Sequence, residues 1–226
     1  MKQSILAFIM LVATASCAFA QNHRDYIRKN IQQWGSCRNV AITDTGGDIA
    51  LNYQNQYAFS GIPTGLARAI QELHDDRELI DDIQLTEGGE WLILVGNNGF
   101  QWSNIPEDLE DKLREYNDNN EIVTSVTFND YGSWILISTE HICASSPKIY
   151  GWIEEGMESY GALWAAHLTN DGVVLCYENG YKFYGNVPDR LRTALAASRY
   201  DVYRIKFTSR GSYFFADKKG HYSYWM

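Results

Sequence analysis

The sequence repeats itself, with a period of about 41 residues. The chain contains four prolines, and successive prolines are separated by 43, 41 and 41 residues: Pro63, Pro106, Pro147 and Pro188. Glycines recur with a similar spacing: Gly46, Gly89, Gly132, Gly172 and Gly211. A period of this length predicts five copies of one supersecondary unit, in which each copy buries its apolar surface against its neighbours.

Each copy is predicted to begin with a β-hairpin. Thr, Asn and Asp precede the repeated glycines, as at Asn129 and Asp130 before Gly132, and this composition is typical of a hairpin tip that needs a positive φ. Alternate apolar residues before each tip, such as Ile83 and Leu85, predict a strand with one buried face. The run that follows each tip, such as 91–94, is apolar at every position and predicts a strand covered on both faces.

A third strand and a helix complete the predicted unit. Second turns at Asn97-Asn98-Gly99 and Glu178-Asn179-Gly180 lead into the third strand. The repeated proline is expected in the first turn of a helix, where its missing N–H costs nothing. Apolar residues then return at helical spacing, as in Leu109, Leu113 and Tyr116.

The third copy is the least regular in sequence. Three glycines fall in its helical segment, between Pro147 and Leu163: Gly151, Gly156 and Gly161. Glycine is a poor helix former, so we expect the helix of this copy to be the least regular of the set.

The two ends of the chain complement each other. Residues 21–226 are predicted to form a single repeat domain, with an N-terminal helix over 23–34 followed by repeats at about 37–79, 80–122, 123–162, 163–201 and 202–226. The last repeat stops where its helix should begin, whereas the N-terminal helix has no strands before it. This match predicts an α+β repeat protein closed into a propeller-like ring, in which the N-terminal helix completes the fifth unit. The alternative is an open, solenoid-like array capped by that helix.

The first 20 residues are predicted to be a signal peptide. Lys2 precedes an apolar run from Ile5 to Ala13, and Ala18-Phe19-Ala20 is a cleavage pattern ahead of Gln21. A lipoprotein signal that anchors the chain at Cys17 is the alternative. No stretch reaches the roughly 18 apolar residues of a membrane span. We therefore expect a soluble protein exported to the periplasm or the cell exterior.

The charge balance is acidic, with a formal net charge of −9 at pH 7. Nucleic acid is a polyanion and its ligands need clustered Lys and Arg, which this sequence lacks. Nucleic-acid binding is therefore excluded by the composition.

The repeated pattern resembles a poorly characterised group of tandem repeats in exported bacterial proteins. The elements that carry the resemblance are a glycine tip, a Trp-containing strand, an Asn-Gly turn and an Ile-Pro helix start, clearest from Gly88 to Trp91 and at Ile105-Pro106. The hairpins are also distantly similar to those of β-propellers. The resemblance implies a fold and no particular chemistry.

Three cysteines remain after the predicted cleavage. Cys37, Cys143 and Cys176 align with apolar positions of the other copies, which predicts that all three are core residues. At most one disulfide can form among them. A nucleophilic Cys143 assisted by His141 is the alternative, but the sequence shows no third group to orient the imidazole.

Histidines and carboxylates show no spacing typical of a metal site. His141 and His221 fall near the same turn position in two copies, where surface exposure explains them. The Asn117–Glu121 loop is a weak calcium candidate that lacks the order of a known calcium loop. The aromatic run Tyr222–Trp225 is a candidate surface for stacking on sugar rings or on a partner.

These observations assign no catalytic residue, no cofactor and no metal ligand. They favour a non-catalytic exported recognition scaffold that binds a protein or glycan, with the partner near the irregular segment Ser138–Gly161. The alternatives are a polysaccharide-directed hydrolase that uses loop carboxylates and an inhibitor of an exported enzyme.

Overall fold

The structure, a computed structural model, describes residues 24–96 and 98–226, which form five helices and fifteen strands. The elements are α1 (24–34), β1 (Asn39–Ile42), β2 (Asp48–Leu51), β3 (Tyr57–Ser60), α2 (Thr64–Asp75), β4 (Ile80–Leu85), β5 (Trp91–Val95), β6 (Gly99–Ser103), α3 (Glu107–Asp118), β7 (Val123–Phe128), β8 (Trp134–Ser138), β9 (Ile142–Ala144), α4 (Pro147–Tyr160), β10 (Leu163–Leu168), β11 (Gly172–Tyr177), β12 (Gly180–Gly185), α5 (Asp189–Ala197), β13 (Arg204–Phe207), β14 (Tyr213–Ala216) and β15 (Tyr222–Trp225). No helix within these residues has both the length and the apolar character needed to cross a membrane.

The fifteen strands form five separate sheets of three antiparallel strands, in the order β1-β2-β3, β4-β5-β6, β7-β8-β9, β10-β11-β12 and β13-β14-β15. Each sheet is a meander whose register is set by the tip, as in the pairing of Ile42 with Asp48 and of Leu85 with Trp91. Hydrogen-bonded ladders join strands within a sheet only, across the described part of the chain. The predicted unit of a three-stranded meander plus a helix is confirmed.

Four of the five repeated tip glycines have the predicted positive φ, between 75° and 99°: Gly46, Gly89, Gly132 and Gly211. The fifth tip differs, because Gly172 lies at the start of β11 and pairs with Gly185. A Cβ atom on Gly172 would lie 2.4 Å from the carbonyl oxygen of Asn186. The prediction of a positive φ is therefore wrong at this copy, where glycine is needed for close backbone approach.

Proline introduces the helices, but at two different positions. Pro63, Pro106 and Pro188 are the N-cap residues of α2, α3 and α5, with φ between −59° and −54°. Pro147 is instead inside the first turn of α4, and the side chain of Ser146 caps that helix by accepting a hydrogen bond from the N–H of Ile149. Pro147 is thus displaced by one position relative to the other three prolines, because only α4 has a serine available as its cap.

The helix of the third copy is continuous over 14 residues, so the expectation that it would be the least regular is wrong. Gly156 supports packing, because a Cβ atom there would lie 2.0 Å from the hydroxyl oxygen of Tyr177. That hydroxyl donates to the carbonyl oxygens of Trp152 and Ile153, at 3.3 Å each. Gly161, with φ of 83°, ends the helix.

Each helix packs between two consecutive sheets and contributes to one of five apolar clusters. In α2, for example, Leu66 and Ile70 share an apolar cluster with residues of both β2 and β5. Ile27 and Ile31 of α1 share a cluster with Val40 of the first sheet and Phe214 of the fifth. The N-terminal helix therefore occupies, between the fifth and first sheets, the position that α2 to α5 occupy between the others.

The first strand of each sheet contacts the first strand of the next unit, and β1 contacts both β13 and β14. These first strands are buried on both faces: one face carries the predicted apolar residues, and the other carries polar ones such as Gln84, Thr127 and Lys206. The prediction of one buried face is therefore incomplete, since the polar face is buried as well.

Candidate functional site

One end of the array holds a cavity of about 480 Å³. The first strand of each unit begins at this end, and the second turn of each meander returns to it, because neighbouring strands are antiparallel. Four units contribute to the wall through the ends of their first and second strands and the loops and turns beside them: Asp81, Gly96, Ile122, Val123, Thr124, Ile137, Ser138, Thr139, Leu163, Trp164, Tyr203, Arg204 and Lys218. Its volume falls in the range of small-molecule sites, roughly 300–1,000 Å³.

An aromatic stack stands in the wall of this cavity. The rings of Trp164 and Tyr203 are nearly parallel, at 13°, with centroids 4.6 Å apart. The ammonium nitrogen of Lys218 lies 3.9 Å from the centroid of the Tyr203 ring. A cation that close cannot share a face of Tyr203 with the Trp164 ring. The order is therefore Lys218, Tyr203, Trp164, with one face of Trp164 covered by the Tyr203 ring.

Charged side chains of both signs line the cavity. Arg204 donates a hydrogen bond to the carbonyl oxygen of Tyr203, at 2.9 Å. Within residues 24–96 and 98–226, neither Arg204 nor Lys218 has a carboxylate oxygen within 4.0 Å. Asp81 is the acidic residue of the lining, and its nearest cation is the Arg38 guanidinium at 3.8 Å. Burial raises the pKa of Asp81, and the charges of Arg38 and Arg204 partly offset this rise.

A layer of buried polar side chains lies on the polar faces of the first strands. Asp82 and Lys206 form an ion pair of 2.9 Å in which each side chain is only 3 % exposed. The amide of Asn39 donates to Asp82 at 2.6 Å, and Lys206 also donates to Gln84 at 3.2 Å. Burial alone would raise the pKa of Asp82, but the charges of Lys206 and Arg204 and these hydrogen bonds lower it.

His167 belongs to the same buried layer. Its Nε2 donates to the carbonyl oxygen of Phe207 at 3.2 Å, which leaves Nδ1 as the acceptor of the Thr127 hydroxyl at 3.4 Å. The Thr127 hydroxyl oxygen in turn accepts the N–H of Leu168. Burial and then the nearby charge of Lys206 lower the pKa of His167 to about 3, so the imidazole is neutral.

A second, smaller cavity of about 260 Å³ lies between the third and fourth units. Its wall includes Trp152 and Tyr184, whose rings stack at 4.2 Å, and Lys148, whose ammonium nitrogen is 5.0 Å from the Trp152 ring. The segment Ser138–Gly161, where the sequence predicts a partner, thus contributes Ser138 and Thr139 to the larger cavity and the residues around Trp152 to the smaller one.

The cysteines predicted to lie in the core divide into two classes. Cys37 and Cys176 are fully buried, which confirms that prediction, and burial raises the pKa of the Cys37 thiol to about 12. Cys143 is only half-buried, and its sulfur lies 2.9 Å from the hydroxyl oxygen of Tyr116. All three are free thiols.

A third group orients the imidazole of His141, contrary to the sequence interpretation. Nδ1 of His141 lies 2.9 Å from Glu121, a residue of the helix-to-strand loop that precedes β7. Glu121 also accepts the hydroxyl of Ser138. Glu121 belongs to the loop that the sequence indicates as a weak calcium candidate. Its carboxylate already pairs with Ser138 and His141, at the second turn of the same unit.

His221 repeats this arrangement in the fifth unit, where its Nδ1 lies 2.6 Å from Asp217. The other oxygen of Asp217 accepts the backbone N–H groups of Lys219 and His221, so this carboxylate caps a turn. Among the described residues, no group of three or more His, Cys, Asp and Glu side chains is placed to hold a metal ion.

The C-terminal aromatic residues form β15. Tyr222 and Tyr224 are half-buried and stack on each other with centroids 6.0 Å apart, while Trp225 is 52 % exposed. The guanidinium carbon of Arg190 lies 3.9 Å from the Trp225 ring, so one face of this tryptophan is already covered.

Several predicted features lie outside the described residues. They are the signal peptide (1–20) with the alternative anchor at Cys17, the first residue of the N-terminal helix, His23, and Asn97 of the second turn.

Sequence reasoning missed the residues of the larger cavity and of the buried layer. Gln84, Thr127, His167 and Lys206 alternate with the apolar residues of the first strands, so they looked like a solvent-facing set. Each of these four residues lies between the two apolar residues of its first strand, and this repeated position was the available signal.

No family model, curated protein or solved structure matches this chain.

Proposed function

We propose that this protein is an exported, non-catalytic recognition scaffold that binds a glycan in the larger cavity. The observation that carries the proposal is the wall of that cavity, in which the stacked rings of Trp164 and Tyr203 stand beside charged and hydroxyl side chains. Sugar rings stack on aromatic faces through their C–H groups, while their hydroxyls need polar partners. The wall built by four units is concave, which suits a sugar better than the flat surface of a protein partner.

We also propose that the five units close into a ring. Hydrogen bonds between consecutive hairpin tips support this arrangement, as in the bond from Gly88 N–H to Asp130 at 3.0 Å and that from Asp130 N–H to Asn170 at 3.1 Å. The series continues from the fifth tip to the first, where Arg210 N–H donates to Asp44 at 3.1 Å. The position of α1 between the fifth and first sheets supports the same closure.

Binding is tested with the protein expressed from its complete reading frame and purified from the compartment that it reaches. A glycan array is probed with the protein and with two variants, Trp164→Ala and Trp152→Ala. We expect bound glycans to be retained unchanged by the original protein and by Trp152→Ala, and to be lost with Trp164→Ala. The second tryptophan is the matched control, since it also stacks on a tyrosine but outside the larger cavity.

Product analysis on each bound glycan decides between binding and hydrolysis. A shortened product would contradict the non-catalytic proposal and favour the hydrolase. Binding confined to proteins from the native envelope would contradict glycan binding and favour a protein partner or an inhibited enzyme. Mass spectrometry of the N-terminus reports export, because cleavage before Gln21 removes 20 residues.

A further inference from the structure

The larger cavity borders a group of charged side chains that do not balance. We propose that the side of this cavity next to the buried polar layer binds a small aliphatic monocarboxylate, whose carboxylate group is held by Arg204. This inference goes beyond the proposed function, because the anion site requires Arg204 and stands whether or not the cavity also takes a glycan.

Five ionisable side chains form this group, which we call the inner charge cluster: Arg38, Asp81, Asp82, Arg204 and Lys206. Two ion pairs join four of them, Asp82 with Lys206 at 2.9 Å and Asp81 with Arg38 at 3.8 Å. Arg204 is two residues before Lys206 on β13, so the two side chains lie on the same face of that strand. The charge of Arg204 also acts on the pKa of each of the other four groups.

The inner charge cluster has one positive charge in excess, since it contains three cations and two carboxylates. Both carboxylates are already paired, and Arg204 has no carboxylate oxygen within 4.0 Å in the described part of the chain. Burial raises the pKa of Asp81, and protonation of this group would only increase the excess. An unbalanced charge beside a buried layer is costly, so an anion that enters the cavity is favoured.

The guanidinium group of Arg204 has unused hydrogen-bond donors. Its Nη1 donates to the carbonyl oxygen of Tyr203 at 2.9 Å, and the side chain has no other hydrogen-bond partner among the described residues. Its remaining nitrogens are open to solvent, unlike Nε of Arg38, which is buried without a partner. Because Arg204 lines the cavity, a ligand there can reach these nitrogens. The planar fork of a guanidinium matches the two oxygens of a carboxylate.

The other lining residues set the class of anion. Asp81 faces the same cavity and repels a second negative charge on the ligand, which disfavours a dianion such as phosphate. The hydroxyls of Thr124 and Ser138 already donate within the protein, so they give the ligand no additional donor. Four aliphatic side chains complete this part of the lining: Ile122, Val123, Ile137 and Leu163. A single carboxylate on an aliphatic body therefore fits the lining best.

Lys218 lies on a different side of the wall. Arg204 and Tyr203 are neighbours in an extended segment, so their side chains project to opposite sides. The ammonium nitrogen of Lys218 is 3.9 Å from the centroid of the Tyr203 ring, and the charges of Asp201 and Glu178 act on the pKa of the same tyrosine. These three charges belong to the Tyr203 side, so the anion is assigned to Arg204 without Lys218.

Isothermal titration calorimetry at constant ionic strength tests the inference. Propionate, propionamide and inorganic phosphate are each titrated into the protein expressed from its complete reading frame. Propionamide is a neutral analogue of the same size as propionate, so their comparison isolates the charge. We expect propionate to bind about tenfold more tightly than each of the other two, the usual effect of a charge-assisted hydrogen bond. Propionate should also raise the Tm, because it binds the folded chain.

Three variants locate the site. Arg204→Gln should weaken propionate binding about tenfold and abolish the rise in Tm. Arg204→Lys keeps the charge but loses the planar fork, so its loss should be smaller, about threefold. Asp81→Asn removes the repelling carboxylate and should tighten the binding of propionate and, more strongly, of inorganic phosphate. A folding defect cannot imitate this last result, because it is a gain of binding.

The matched control is Arg192→Gln, which should leave the affinity for propionate unchanged within about twofold. Arg192 also donates to a backbone carbonyl oxygen, that of Val187 at 3.1 Å, but it does not line the cavity. Equal binding of propionate and propionamide, or no binding of propionate, would overturn the inference. Binding that is insensitive to Arg204→Gln would overturn the location, and phosphate that binds as tightly as propionate would overturn the preference for a single charge. Each of these results leaves the glycan proposal to the array, whereas propionate binding without any bound glycan would contradict that proposal alone.

Discussion

His167 is a buried imidazole whose hydrogen bonds require the neutral form. It donates to Phe207 and accepts from Thr127, both at positions on neighbouring units. Protonation of Nδ1 would put a second donor opposite the Thr127 hydroxyl and a charge beside Lys206. A cation at this position is therefore much more costly in the folded chain than in the unfolded one.

This cost predicts a pH dependence of stability. The folded pKa of about 3 lies below the ordinary value of 6.5, so the unfolded chain binds the proton first and stability falls as pH decreases from 6.5 towards 3. We expect a slope of up to ~1.4 kcal/mol per pH unit in the free energy of unfolding between about pH 6 and 4.5, measured by urea denaturation.

His167→Gln should flatten that slope, because Gln also donates and accepts hydrogen bonds but does not titrate. The exposed His74 gives the control variant His74→Gln, which should keep the slope. The lowered pKa values of Asp130, Asp171 and Asp217 affect stability only at lower pH, where these carboxylates protonate. An unchanged slope in His167→Gln would contradict the assignment.

The helix α4 uses its two internal glycines differently. Gly156 faces Tyr177 at a distance that leaves no room for a Cβ atom, whereas a Cβ on Gly151 meets nothing within 4 Å. The same residue type in the same helix therefore has a packing role at one position and only a lower helix propensity at the other.

Alanine substitution should separate these two roles. Gly156→Ala must displace Tyr177 and should destabilise the protein by ~1–3 kcal/mol, the usual cost of overpacking. Gly151→Ala is the matched control and should stabilise it by up to ~1 kcal/mol through helix propensity. Thermal and urea unfolding measure both effects. Tyr177→Leu removes the ring atoms that the added Cβ would meet, so Gly156→Ala should cost less in the Tyr177→Leu background than in the original protein; an equal cost would argue against this contact.

At the scale of the whole molecule, α1 connects the two ends of the chain. Ile27 and Ile31 are fully buried, and they pack together with Val40 of β1 and Phe214 of β14. In a closed ring this helix stabilises the first and fifth sheets equally, whereas in an open array it covers the first sheet alone.

Hydrogen exchange tests which of these applies. Ile31→Ala should cost ~2–5 kcal/mol, the usual range for a fully buried isoleucine. In the closed ring we expect faster exchange in β1 and β14 together. The control Leu113→Ala, in the cluster of the second and third sheets, should affect β8 before β14. Full protection of β14 in Ile31→Ala would favour the open array. A radius of gyration near 17 Å, expected for a compact chain of this length, would support the ring.

The repeating unit is determined by the sequence alone, because its signals are local. Turn residues, period-two alternation, proline and helical spacing all act within about 20 residues, and the three-stranded meander with its helix follows from them. The environment of the first strands was decided by the tertiary structure. Lys206 meets Gln84 across 122 residues, and His167 donates to Phe207 of the next unit. Such contacts depend on how the units pack around each other, so no local pattern distinguishes a buried polar face from a solvated one. The larger cavity has the same origin, since four units supply its wall and no single repeat contains it.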